Sequence, residues 1–361
     1  MSYAQARWWA GSFQVLGWVA IAGAGWIWGI PAWAEAGYYT PLLMTAAAAL
    51  ANLPIDWYCG YWLPAQYGRS LMSPGGWWSS WARGAGIYIA AVATAGALVM
   101  GAAAWGTAGA VGAGAGLGIL LMGGQYWLLR ITAGGVWEHA TDRGFEVETA
   151  TVQDREFTGG LVGIPGQEVQ VFPAHWQVAL APAVSRIIQV RRHGAINLGL
   201  YGQGALLALA AHVLLWTAAV WICGTPLTTG AGWLRASVIY TVLVTVAQVG
   251  WLPRLGREAA FAMDKWVYYQ QFDADALRKS IQEADRLLEP APLAPAQAAW
   301  VYARPTAAAR LARMAAPRER AAAWQPGPIL RYLSWAGGNL AARSGPMVSG
   351  HPASGILAPD T

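Results

Sequence analysis

Charge is scarce in this sequence. Asp, Glu, Lys and Arg make up 11% of its 361 residues, against about 25% in an ordinary water-soluble domain, so there is too little polar surface to cover a globule in water. Cysteine is scarcer: Cys59 and Cys223 are the only two. Neither has a CxxC neighbour, which excludes a zinc ribbon, a thioredoxin-type pair and an iron–sulfur motif. There are five His and no HExxH. A P-loop is missing, as is a Gly fingerprint in a strand–turn–helix setting. The formal charge of +5 is modest and follows topology, so no nucleic-acid partner is expected.

What is abundant is apolar. Hydrophobic residues reach 56%, with 44 Gly and 23 Trp. Glycine lets membrane helices approach closely, and Trp gathers at membrane–water interfaces. Six stretches, about 13–34, 40–62, 86–107, 111–130, 200–223 and 234–251, approach the roughly 20 residues needed to cross a hydrocarbon core. The sequence therefore predicts a mainly α, polytopic membrane protein of about six spans, with the lipid bilayer as its first partner. The start of the chain carries a single charge, Arg7, and no cleavable signal is expected. Connections 35–39, 108–110 and 224–233 hold no Lys or Arg, and only Arg235 of the 23 basic residues lies near that side. The positive-inside rule then predicts a bacterial inner-membrane protein with both termini cytoplasmic.

The chain divides into 1–130, four spans with a distinctive loop at 53–84; 131–199, a small cytoplasmic α+β element; 200–253, two spans; 254–288, a cytoplasmic helical region; and 289–361, a Pro/Ala/Arg-rich, partly irregular tail. Within 131–199, the alternating run 146–152 predicts a strand. A second, 168–172, follows the turn residues Gly163-Ile164-Pro165-Gly166, and a helix is predicted from Pro182 to about Ile196. Residues 300–350 carry seven Arg against one acid, Glu319. That bias suits an arm for anionic lipid or a partner.

One stretch is distinctive. Pro54-Ile55-Asp56-Trp57-Tyr58-Cys59-Gly60-Tyr61-Trp62-Leu63, continuing through Tyr67-Gly68-Arg69-Ser70, resembles the P-x-D-x-x-x-G-Y-x-L…Y-G-x-S signature of the membrane zinc metallopeptidases, the family of the CAAX prenyl proteases. Trp81 and Gly84 fall where that family continues. Phe157 to Gly166 and Val169 to Pro173 resemble the β-hairpin before its active-site helix, and Leu180-Ala181-Pro182 resembles the helix entry, with Pro where its missing N–H is harmless. The resemblance spans roughly 45–285.

In that family two His at i and i+4 hold zinc, the Glu between them activates the metal-bound water, and a later Glu completes the ligand set. Here the HExxH position reads Arg191-Arg192-His193-Gly194-Ala195. The ligand positions are Arg191 and Ala195, and the base position is Arg192. The distal motif aligns with Gly256-Arg257-Glu258-Ala259-Ala260-Phe261-Ala262-Met263-Asp264, which keeps Arg257 and Asp264 but places Ala260 at the third ligand. The resemblance thus implies a degenerate member without zinc. Arg191, Arg192 and Arg257 become candidates for clamping an anion, a partner's carboxylate or Asp264. Pro54, Asp56, Gly60, Tyr61, Tyr67, Gly68, Ser70 and Asp264 are expected to be structural. A site rebuilt from His193, His175 and Glu258 has no recognised ligand spacing.

His212 lies mid-span in Ala208-Leu209-Ala210-Ala211-His212. An intramembrane His is a functional candidate by default, and this short motif resembles a bacteriochlorophyll-binding turn of antenna polypeptides. Interhelical hydrogen bonding is the alternative. Three readings follow: an inactive metallopeptidase-like scaffold or accessory subunit among other membrane-protein subunits, a peptidase with remodelled ligands, and a pigment- or haem-associated subunit of a photosynthetic or respiratory complex. A transporter ranks below these, since no inverted repeat is visible.

Overall fold

The computed structural model describes residues 3–28, 37–68, 72–142, 145–152, 157–250, 252–270, 273–288 and 305–315. It begins with α1 (Tyr3–Trp28) and α2 (Thr40–Trp57), which passes through a π-helical turn (Tyr58–Trp62) into α3 (Leu63–Gln66). Next come α4 (Pro74–Ala102), capped by the Ser73 hydroxyl accepting from Gly76 N–H, α5 (Thr107–Gly123) and α6 (Gln125–Ala133). A sheet of β1 (Val136–Asp142), β2 (Phe145–Thr151), β3 (Gly160–Val162) and β4 (Val169–Pro173) precedes α7 (Ala174–Ala179) and α8 (Pro182–Asn197). The helices α9 (Leu200–Cys223), α10 (Gly230–Gly250), α11 (Leu252–Tyr269), α12 (Ala274–Leu288) and α13 (Ala307–Ala315) complete it.

Among the described residues, four helical segments are long and apolar enough to span a membrane: Gly37–Gln66, Pro74–Trp105, Leu200–Cys223 and Gly230–Ala247. Of the six expected stretches, 13–34 runs into residues that lie outside the described ones. The stretch 111–130 is broken at Gly124 by a 64° bend between α5 and α6, and counting that pair as one span gives five. The apolar part of α1 is the shorter Trp9–Ile21.

The spanning helices pack through small residues. Helix α9 contacts α10 and α5, and α4 contacts α2 and α5. Gly114 and Gly118 of α5, four residues apart, face α9 so closely that an added Cβ would lie 2.2 Å from Trp216 Nε1 and 2.6 Å from His212 Cδ2. This is the close approach that a small-xxx-small spacing permits in lipid, where no hydrophobic force drives helices together.

The sheet order is β1-β2-β4-β3. β1 pairs antiparallel with β2 from Val136↔Thr151 to Asp142↔Phe145, β2 pairs parallel with β4, and β3 closes the hairpin with β4. The two strands expected from the sequence are thus the middle of a four-stranded sheet. One face packs Ala150, Val162 and Val171 against Tyr126 and Leu129 of α6. Val147 and Phe172 pack instead against Trp176, Val184 and Ile188. The sheet consequently lies between the α5–α6 bend and α8.

Candidate functional site

Helix α8 begins at Ala181, in an extended conformation, with Pro182 in its first turn. Its buried residues are Val184, Ile187, Ile188, Arg191, Arg192, Gly194 and Ala195. The spacing i, i+3, i+4, i+7, i+8, i+11 is that of an amphipathic helix, and it carries both arginines inward on the same stripe as the apolar residues. Arg191 is 1% exposed and Arg192 0%. Helix α11 lies against α8, with Ala259, Ala260, Met263 and Asp264 buried. At Gly194 an added Cβ would stand 2.6 Å from the Trp266 ring, so this glycine is needed for the two helices to approach.

Asp264 is the electrostatic centre. Arg310 of α13 donates to both its carboxylate oxygens, Nε to Oδ2 at 2.9 Å and Nη2 to Oδ1 at 2.7 Å. Arg191 Nη2 stands 2.8 Å from Oδ1. Burial alone would push the Asp264 carboxyl up, but the neighbouring Arg191 and Arg310 charges and the Arg310 hydrogen bonds outweigh it and hold the group below its ordinary value. Asp264 is therefore a carboxylate at neutral pH, held by two guanidinium groups.

Arg192 makes a different set of contacts. It donates from Nη1 to the Val171 carbonyl at 2.8 Å and from Nη2 to the Thr158 carbonyl at 2.9 Å. Its guanidinium lies over the Phe172 and Trp176 rings, 5.4 and 5.9 Å from their centroids. It braces α8 to β4 and to the segment before β3. Of the partners expected for these guanidinium groups, Asp264 is the one that Arg191 meets, and Arg192 meets two backbone carbonyls. Arg257 is half-buried on α11.

The residues that the sequence register sets against the family's zinc ligands do not fit zinc. Guanidinium at Arg191 repels a divalent cation, and Ala195 (0% exposed) and Ala260 (1% exposed) offer no donor atom. Among the described residues, no group of three or more His, Cys, Asp and Glu is placed to hold a metal ion. His193 lies half-buried beside Trp266, and burial pulls its pKa below the usual imidazole range.

The remaining candidates have structural partners. Asp56 accepts from the Trp81 indole at 3.1 Å, which joins two of the motif residues across α2 and α4. Pro54 is inside α2, Gly60 and Tyr61 form part of the π-helical turn, and Tyr61 packs near Trp57 and Trp77. Tyr67 packs against Tyr3 with the rings tilted, Gly68 has a positive φ of 67°, and Ser70 is outside the described residues. His212 is held at both ring nitrogens, Nε2 at 2.9 Å from the Gly114 carbonyl and Nδ1 at 2.6 Å from the Tyr240 hydroxyl. A carbonyl only accepts, so Nε2 carries the proton and Nδ1 accepts from Tyr240. These bonds tie α9 to α5 and α10, the interhelical hydrogen bonding that was the alternative for His212. Sequence reasoning missed Arg310, although Ala307, Arg310, Leu311 and Met314 follow a helical stripe that would have pointed inward.

These features define a multi-pass helical membrane protein with a small sheet beside its helices and an Arg–Asp–Arg centre between α8, α11 and α13. No family model and no curated protein matches the sequence. By fold, the chain is similar to the crystal structure of S. mikatae Ste24p, with a TM-score of 0.63 and 12% identity over 76% of this chain and 74% of that one. At that identity the likeness shows the fold alone.

Proposed function

We propose that this chain is a catalytically inactive, metallopeptidase-like membrane protein that serves as a scaffold or accessory subunit of a larger membrane complex. In this reading it sits in a bacterial inner membrane with both termini cytoplasmic, where Lys and Arg concentrate. The observation that carries it is the identity of four residues. The sequence register sets Arg191, Ala195 and Ala260 against the family's ligand positions and Arg192 against its base position, and all four are buried in a fold similar to that of Ste24p, a CAAX prenyl protease. A general base must take a proton, and an arginine whose guanidinium is bonded to two carbonyls has none of that capacity. A scaffold needs the architecture and not the metal.

The test is metal content and cleavage by the full chain purified in mild detergent. The expected result is zinc far below one per chain and no cleavage of a prenylated C-terminal peptide, together with co-purifying membrane subunits. One tightly bound zinc per chain, lost in His193→Ala, would refute the reading in favour of a peptidase with remodelled ligands.

A further inference from the structure

Two arginines outside the Arg–Asp–Arg centre converge on the carboxy end of α6. Arg83 is exposed on α4, near the start of the membrane-spanning segment Pro74–Trp105. Its guanidinium lies against Gly134, the residue that ends α6 with a φ of 64°; an added Cβ there would stand 2.8 Å from Arg83 Nη2 and 3.2 Å from Nη1. Arg130, in the last turn of α6, is half-buried. It donates from Nη1 to the Tyr126 hydroxyl at 2.8 Å, and its guanidinium lies 5.5, 5.9 and 5.8 Å from the ring centroids of Tyr126, Trp127 and Trp137. The Trp137 indole donates to the Gly134 carbonyl at 2.8 Å, so the same glycine joins both arginines. Arg130 meets the Glu148 carboxylate only through the Tyr126 hydroxyl, which donates to it. Among the described residues Arg83 has no hydrogen bond and neither guanidinium has a carboxylate within ion-pair distance. An arginine carries five N–H donors, so most of those at this point are unused.

The surface beside them is apolar. Trp127 and Ile131, one turn apart on α6, are 63% and 52% exposed, and Val136 at the start of β1 is 62% exposed. Lipid covers such a surface on a membrane protein, and an unneutralised positive charge at its edge is costly without an anion. Carbonyl groups at the end of α6 attract positive charge, but Arg130 in its own last turn supplies that, and Arg83 comes from another helix. We propose that Arg83 and Arg130 form a binding site for the phosphate of an anionic phospholipid, whose acyl chains lie over Trp127 and Ile131. The two non-bridging phosphate oxygens can each take a guanidinium, the planar fork that suits phosphate. Arg130 is already held by its rings and by Tyr126, so little of its freedom is lost on binding. A zwitterionic choline lipid fits less well, because its ammonium adds a third positive charge to the two guanidinium groups. Basic pockets between membrane helices are a recurrent place for acidic head groups. The inference stands whether or not the chain is an enzyme.

In the experiment, the full chain is purified in detergent, stripped of lipid and titrated with phosphatidylglycerol or phosphatidylcholine, and retained lipid is counted by native mass spectrometry. Phosphatidylglycerol should bind saturably and more tightly than phosphatidylcholine, and excess inorganic phosphate should not release it. Arg83→Gln should weaken it about 5-fold, and Arg83→Gln with Arg130→Gln about 30-fold, the loss expected for one and two arginines at a lipid surface. Arg130→Gln also removes a bond to Tyr126, so Arg83→Gln, which breaks no described bond, is the variant that decides. Arg278→Gln, which removes an exposed arginine of α12 beside Asp275, should leave binding unchanged. The proposal fails if the two lipids bind equally, if Arg83→Gln binds phosphatidylglycerol as the parent does, or if Arg278→Gln weakens it as much as Arg83→Gln. Release of the lipid by inorganic phosphate would overturn it in favour of a site for a free anion.

Discussion

The centre invites one decisive substitution, Asp264→Asn. Asp264 is 4% exposed and faces Arg310 Nε at 2.9 Å, Arg310 Nη2 at 2.7 Å and Arg191 Nη2 at 2.8 Å. Asparagine keeps the shape, yet it removes the counter-charge from two buried guanidinium groups and turns one acceptor into a donor that meets another donor. Removing one partner of a buried pair costs about 3–5 kcal/mol, a large part of the roughly 5–15 kcal/mol that stabilises a typical fold. The triple replacement Arg191→Met, Asp264→Leu, Arg310→Met should be far milder, within about 2 kcal/mol of the parent, since apolar groups of similar volume need no counter-charge. Intrinsic Trp fluorescence in a reversible detergent-unfolding titration reads both. The pH dependence has a definite sign. Because the folded carboxyl lies below its ordinary value, its stabilising contribution is complete above the unfolded Asp value of about 3.9 and is lost as pH falls through the lower folded value. Asp264→Asn should therefore flatten the acid side of the stability profile. A change of under about 1 kcal/mol in Asp264→Asn, or a triple variant as unstable as the single one, would refute the reasoning.

Two further outcomes follow from the packing. Gly118→Leu should cost about 1–3 kcal/mol by overpacking, because even its first carbon would meet His212 Cδ2 at 2.6 Å, whereas Gly116→Ala, with nothing within 4 Å, should be nearly silent in the same titration. Arg192→Lys should destabilise the α8–sheet junction by about 1–3 kcal/mol, since one ammonium cannot reproduce both hydrogen bonds and a carbonyl is left bare; hydrogen exchange at β3 and β4, whose flanking carbonyls at Thr158 and Val171 it holds, is the measurement, and unchanged protection would contradict it.

The long apolar helices could be read from hydropathy because their signal is local. The break at Gly124, inside the stretch 111–130, could not, because only the angle between α5 and α6 reveals it. Strand β2 was visible as alternation, and β4 by the turn residues before it. β1 was not: Val136-Trp137-Glu138-His139-Ala140-Thr141-Asp142 mixes apolar and charged residues, and among the described residues it pairs with β2 alone. The parallel β2–β4 pairing is a matter of topology that no local pattern encodes. At the centre, the register from Leu180-Ala181-Pro182 set Arg191, Arg192 and Ala195 on one helix, as α8 has them, but the use made of the arginines was not legible. A guanidinium in sequence reads as a solvated or ligand-binding group, and the stripe through Val184, Ile187 and Ile188 was the signal that it is core. Arg310 was hidden because its partner lies 46 residues away.

Under the proposed function, the two arginines of α8 supply the positive charge that a bound metal would otherwise supply. A helix interface that buries a carboxylate such as Asp264 and carbonyls such as those of Val171 and Thr158 needs positive charge and donors inside it, or the desolvation of those groups destabilises the fold. A bound cation is one source, and it makes folding depend on the ion's availability. Here the positive charge is covalent: Arg191 and Arg310 reach Asp264, and Arg192 reaches the carbonyls. Stability should then be independent of divalent metal. Unfolding midpoints measured with a strong chelator and with added zinc should coincide, while Arg191→His should lower them through loss of an Asp264 contact. A midpoint that falls on chelation and returns with zinc would show that a metal, and not this arginine set, holds α8 to α11.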